Sequence, residues 1–384
     1  MQLLTAVRYR EVHWGLLVMS LILTSIGIAF VFSACIDPSS ASGWSREATM
    51  QTVWLGISLI ACGMCLHVPP SAWYHLTLPI ACMALALQMV VIVAGGTSLV
   101  PVINGRTSWI VLGPLRLQPD EFVKIATILA VARVAGDATA NLRQWRWIIA
   151  VCLVWMVPTA PILSNNLGNA LPLIPMLVGV LLLAGARLRV VAGLCAAGMV
   201  TLFLAVLALP QEGPRSYMYR RIQAWLNPED YVLAEAFQTL RSIRSVGSGQ
   251  WFGKGYGMGD QNLLGSVPEK HTDMIFSVVG EETGFVGSSL VILLFLTWAL
   301  VGLWATMAAR DRFARLFIGA FTCMIMGQVA LNLAVVLGMM PVTGVTLPFF
   351  SYGGSSLLAT YIGVGICLSC TTAKMHHFSK RSLE

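Results

Sequence analysis

Apolar residues fill this chain in long unbroken blocks rather than in alternating or amphipathic patterns. Residues 48–105, 147–186, 190–211, 283–309 and 316–373 contain no Asp, Glu, Lys or Arg. Each block exceeds the roughly 18 apolar residues that argue a membrane-crossing helix, and several are long enough for two. The pattern predicts ten spans, at residues 14–34, 51–68, 71–94, 119–137, 146–161, 167–186, 188–210, 274–306, 314–340 and 354–373. The expected fold is all-α, a single polytopic membrane domain over residues 1–384, with a large outer loop (211–272) between spans 7 and 8. A segment of about 60 residues is marginal for an independent core, so the loop is part of the membrane domain. Its mixture of Tyr, Trp, Phe and charged residues fits amphipathic stretches lying at the membrane interface. Residues 14–34 exceed the roughly 7–15 residues of a signal-peptide core and read as a retained first span.

Composition agrees. The 384 residues are 57% hydrophobic and 11% charged, against roughly 25% charged in a soluble domain. The net charge of +7 is topological and implies no nucleic-acid partner. Counted from an inward N terminus, the spans put Arg8, Arg10, Arg133, Arg143, Arg146, Arg187, Arg189, the basic residues of 310–315 and those of 374–381 on one face. Only Glu11, Asp137, Asp311 and Glu384 oppose them there. The positive-inside rule assigns that face, and both termini, to the cytoplasm. Of the nine cysteines, all but Cys35 lie in apolar runs, and the pairs Cys62/Cys65 and Cys367/Cys370 read as small packing residues. No disulfide framework and no metal-ligand spacing is evident, His376-His377 included.

Against this apolar background the polar clusters stand out as candidate chemistry. Residues 267–276, VPEKHTDMIF, place Glu269, Lys270, His271 and Asp273 at the outer edge of span 8. Asp273 is either a site carboxylate stabilised by the helix N-terminus or a plain cap. Glu281 and Glu282 follow two turns inside the span and need partners there. Glu121 and Lys124 stand three apart at the start of span 4 and can pair, either to ease membrane insertion or to face an internal cavity. Six glycines between 247 and 259 surround Lys254. Without a strand before and a helix after they are no nucleotide loop, and they suggest pliable backbone around an anionic ligand. Pro158, Pro161, Pro172 and Pro175 flank Ser164-Asn165-Asn166 and predict irregular backbone lining a cavity. Residues 341–356, PVTGVTLPFFSYGGSS, form a charge-free, turn-rich loop that would shape a pocket.

Taken together, residues 118–124, 237–259, 267–284 and 341–356 resemble the SEDS family (RodA, FtsW and SpoVE), and the resemblance runs over nearly the whole chain. It implies a membrane glycosyltransferase that polymerises lipid II into peptidoglycan strands for cell wall synthesis, shape and division. It further implies the bacterial cytoplasmic membrane, a class B penicillin-binding protein as partner, and other elongasome or divisome membrane proteins. Asp273 falls on the family's essential outer-loop aspartate, the expected general base, and Glu121 and Lys124 fall on its span 4 polar pair. Substrate contacts are expected from Glu121, Lys124, Arg106, Lys254, Glu269, Lys270, His271, Glu281, Ser351 and Tyr352. Arg215, Arg220, Arg221, Arg241, Arg244, Lys254 and Lys270 are candidates for the pyrophosphate. A divalent cation, Mg or Mn, would add positive charge there, and no organic cofactor is implied. The short tails and the place of Trp14 favour the RodA branch.

The chain departs from the family pattern at several points. Where the family has Gln-Pro-Asp-Leu-Gly-Thr, it has Ser164-Asn165-Asn166-Leu167-Gly168-Asn169, so a carboxylate is replaced by Asn166. The family's arginine before Trp109 is Ser108, with Arg106 nearby, and a serine is replaced by Asp120. Two other readings follow: a lipid-linked precursor flippase, which the lack of an internal repeat disfavours, and a non-catalytic scaffold, which the loss at Asn166 would suit.

Overall fold

The computed structural model describes residues 12–36, 45–102, 107–113, 115–207, 216–231, 235–260 and 267–372. Arg106, Arg215 and the tail histidines lie outside them. Among the described residues, seven helices are long and apolar enough to cross a membrane: α1 (Trp14–Ala34), α2 (Arg46–His67), α3 (Pro70–Val93), α5 (Trp145–Asn165), α11 (Ile275–Ala308), α12 (Arg312–Val336) and α13 (Gly354–Thr371). The remaining expected spans are shorter or broken: α4 (Pro119–Ala135), the pair α6 (Leu167–Ala170) and α7 (Leu173–Leu183), and α8 (Leu188–Leu207). The protein is a helical polytopic membrane protein, as its apolar blocks require.

Helix ends follow the local sequence. The Ser45 side chain accepts a hydrogen bond from the Ala48 amide at α2, and Asp311 does the same for Ala314 at α12. Pro70 and Pro119 sit in the first turns of α3 and α4, where no amide donor is lost. Pro158 and Pro161 lie within α5, and the chain breaks at Asn166 just beyond them. Pro172 separates α6 from α7.

The centre of the bundle is α4, α12 and α13. About 67% and 72% of the apolar windows of α12 and α13 are buried, against 22% for α2 and α3, which turn apolar side chains to lipid. Trp298, Phe321, Phe349 and Tyr361 pack together in this core. Their polar atoms are matched: the Trp298 indole donates to Ser20 Oγ at 2.9 Å, and Tyr361 shares a 2.9 Å hydrogen bond with Thr24. Such pairing is what a water-free interior demands. All nine cysteines are free, and Gly365 lets α13 approach the backbone of Cys62 closely.

The end of the bundle that holds Asp273 carries the remaining described structure. A short antiparallel hairpin, β1 (Ile110–Leu112) with β2 (Leu115–Leu117), is not evident from the sequence pattern. It is tied to the start of α13, where Ser355 Oγ accepts from the Gln118 amide and donates to the Arg116 carbonyl. Two amphipathic helices, α9 (Ser216–Leu226) and α10 (Glu235–Ser248), pack at this same end, α10 against α11 and α12 and α9 against the loop at Val342.

Candidate active site

The turn of residues 267–274 presents Asp273 directly before α11. The α11 N-cap is Met274, with no side-chain cap, so the Asp273 carboxylate is not spent on the helix end. Its backbone is held from behind. Asn332 Nδ2, on α12, donates to the carbonyls of both Asp273 (2.7 Å) and Val345 (2.8 Å). One side chain thus joins the aspartate to the charge-free loop of residues 341–353. A second tie runs from the Tyr352 amide to the His271 carbonyl at 2.9 Å, with the two rings 5.7 Å apart.

Asp273 is only 8% exposed. Burial, reinforced by the neighbouring Glu269 carboxylate, raises its pKa to about 6, which Thr272 and Arg221 partly oppose. The helix-terminus argument alone would keep it fully ionised; desolvation is the larger effect. It remains mostly a carboxylate at neutral pH, with a proton affinity close to that of an efficient base. The Thr272 hydroxyl lies between two carboxylates, 3.0 Å from Glu269 Oε2 and 3.3 Å from Asp273 Oδ1.

Cationic groups approach from the interfacial helices. Arg221 of α9 donates to the Val342 carbonyl at 2.8 Å, next to the same loop. Arg241 of α10 lies over the Phe237 ring, and Arg220 and Arg244 are exposed beside them. Lys270 is half-buried, and desolvation lowers its pKa, with Cys35, Glu282 and Glu281 opposing. A half-desolvated ammonium would gain from an arriving anion.

The other expected site residues fall into two buried groups below this surface. Glu121 and Lys124 form an ion pair at 2.8 Å, both nearly inaccessible, and Lys124 also reaches Gln328 Oε1 at 3.3 Å. Glu281 is fully buried and bonded to Lys254 Nζ (2.9 Å) and to Ser245 and Ser248 of α10. Lys254 also contacts Asp260 at 2.9 Å. Ser351 holds its own loop, its Oγ accepting from the Leu347 amide, while its carbonyl accepts from Gln51 of α2.

The glycine-rich stretch has a role that the sequence did not disclose. α11 is broken at Gly284, whose φ of 65° and ψ of −161° are not helical. Residues 250–255 enter the break. The amides of Phe285 and Val286 donate to the carbonyls of Gln250 and Trp251, and those of Lys254 and Gly255 donate to the carbonyls of Glu281 and Glu282. Side chains at Gly249, Gly253 or Gly284 would overlap the opposing backbone. These glycines are needed for close approach of two chain segments.

Sequence reading missed Gln328 and Asn332. They sit four apart on one face of apolar α12, both buried, and amides at helical spacing inside a charge-free run were the available signal.

Residues 14–376 match the family model described as cell cycle protein, FtsW/RodA/SpoVE. The chain is 31% identical to stage V sporulation protein E of Bacillus subtilis, covering 92% of this chain and 95% of that one. It is 34% identical to a probable peptidoglycan glycosyltransferase FtsW of Halorhodospira halophila, covering 90% and 87%. Among solved structures it superposes on RodA of Thermus thermophilus with a TM-score of 0.67 at 29% identity, covering 93% and 96%. It superposes with a TM-score of 0.74, also at 29% identity, on a chain of a peptidoglycan synthase complex that coordinates polymerization and crosslinking, covering 93% and 97%. The fold that carries Asp273 is therefore a known one, and the chain is a member of the FtsW/RodA/SpoVE family.

Proposed function

We propose that this protein is a peptidoglycan glycosyltransferase that polymerises lipid II at the outer surface of the bacterial cytoplasmic membrane, with both termini inside. The observation that carries the reading is Asp273: a buried, uncapped carboxylate directly before α11, pinned by Asn332 and approached by Arg221.

In this reading the acceptor sugar presents a hydroxyl to Asp273, which takes its proton. The hydroxyl oxygen bonds to the donor anomeric carbon as the bond from that carbon to the pyrophosphate oxygen breaks. The electron pair leaves with the polyprenyl pyrophosphate, and the anomeric configuration inverts. Charge that builds on the leaving group is met by the arginines of α9 and α10 and by Lys270, where preorganised cations are most effective. Glu269, His271 and Tyr352 would line the sugar path. Glu121, Lys124, Lys254, Glu281 and Ser351 support it from below, through the ties already described. Among the described residues no three His, Cys, Asp or Glu side chains stand together as metal ligands. A divalent cation, Mg or Mn, would add positive charge at the pyrophosphate, and none of these steps runs through it. The likeness to a synthase complex that couples polymerization to crosslinking supports a class B penicillin-binding protein as partner, within an elongation or division assembly.

The test is reconstitution with that partner, lipid II and a divalent cation. Glycan chains should form, and should be lost in Asp273→Ala. Normal polymerisation by that variant would remove Asp273 as the base. Labelled lipid crossing vesicle bilayers without chain growth would make the protein a transporter, and neither activity would leave a scaffold.

A further inference from the structure

At the start of α4 lies a buried polar group that the transfer reaction does not use. Asp120 is fully buried. Its Oδ2 accepts a hydrogen bond from Asn169 Nδ2 of α6 at 2.9 Å, while its Oδ1 has no hydrogen-bond partner. Gln88 of α3, equally inaccessible, lies within hydrogen-bonding reach of this carboxyl, yet neither its Nε2 nor its Oε1 attains full hydrogen-bond geometry. Buried polar atoms are rarely left in this state.

Among the described residues, the charges that act on the group are Glu121 and Lys124, both on α4, and these two already neutralise each other at 2.8 Å. From α3 and α6 the neutral amides of Gln88 and Asn169 face it. An ionised Asp120 would therefore leave one negative charge in excess at a fully buried position, which is strongly unfavourable. A hard cation could supply the missing charge, but such ions take about six oxygen ligands. The unpartnered oxygens here are Asp120 Oδ1 and Gln88 Oε1.

We propose that Asp120 holds a proton on Oδ1 and donates it to Gln88 Oε1, while Asn169 continues to donate to Oδ2. The acid then works as a neutral clamp that joins α3, α4 and α6, and the field at Lys124 is set by Glu121 alone.

The experiment compares the purified full chain with Asp120→Asn and Asp120→Ala at neutral pH. Asparagine keeps the shape and donates from Nδ2 where the acid would donate its proton, so D120N should melt with the wild type and D120A clearly below it. In difference infrared spectra the wild type should show the carbonyl stretch of a protonated carboxylic acid that D120N lacks, equally in sodium and potassium buffers. Absence of that band, or its persistence in D120N, overturns the proposal. So does sodium-specific stabilisation of the wild type that D120N loses, because the neutralising ion would then be the metal. None of these readouts uses the transferase reaction, so the outcome is independent of the proposed function.

Discussion

Asp273 combines two requirements that oppose each other: burial to raise its basicity, and access for a sugar hydroxyl. Its pKa near 6 sets the expected pH dependence. Below that value the carboxyl is protonated and cannot accept the hydroxyl proton. Polymerisation should therefore rise with pH through about 6 and level off above, and the rate measured between pH 5 and 8 checks this. Asp273→Asn should lower the rate by at least ~10², the lower end for a lost general base, at unchanged melting temperature. The Glu121–Lys124 pair makes a different prediction. Glu121→Gln strands a buried ammonium and should cost about 3–5 kcal/mol, read as a fall in melting temperature. Replacing both, as Glu121→Gln with Lys124→Met, should recover much of it. Asp273 and this pair were legible because charge is conspicuous in an apolar chain. Asn332 was not, since an amide leaves a charge-free run unbroken. The departures at Asp120 and Asn169 are 49 positions apart in sequence, and only the fold shows that they bond to each other.

Most of the helices were legible in the same way. The apolar blocks give the spans, and the prolines around Asn166 mark the break between α5 and α6. The break inside α11 was hidden. Residues 274–306 read as one continuous span, and the segment that enters it lies some 30 positions earlier in sequence. The cause is backbone pairing between distant residues, to which hydrophobic pattern is blind. Gly284→Ala should destabilise by at least ~1–3 kcal/mol, the usual cost of a residue forced into such backbone geometry, because the added methyl also meets the backbone of residues 251–253. Gly56→Ala on α2, where nothing lies within 4 Å, should be neutral or slightly stabilising. Thermal melts of the two variants side by side test the contrast. The hairpin of residues 110–117 escaped notice because its strands are three residues each, too short for an alternating pattern to register.

At the scale of the molecule, the polar ties around Asp273 converge on two irregular segments, the turn before α11 and the loop before α13, while lipid-facing helices surround a core of α4, α12 and α13. The proposed orientation has a direct check. Phe252 is 82% exposed beside Trp251, so Phe252→Cys should react with a membrane-impermeant thiol reagent in intact spheroplasts. Reaction only after permeabilisation would invert the topology.

The broken helix also ties two distant segments into one unit. The amides of Phe285 and Val286 find their acceptors only when residues 250–255 dock, so the bend at Gly284 and the docking of the glycine strand form together. The shape of α11 is thus not a property of the helix alone but is held by backbone some 30 positions earlier in the chain.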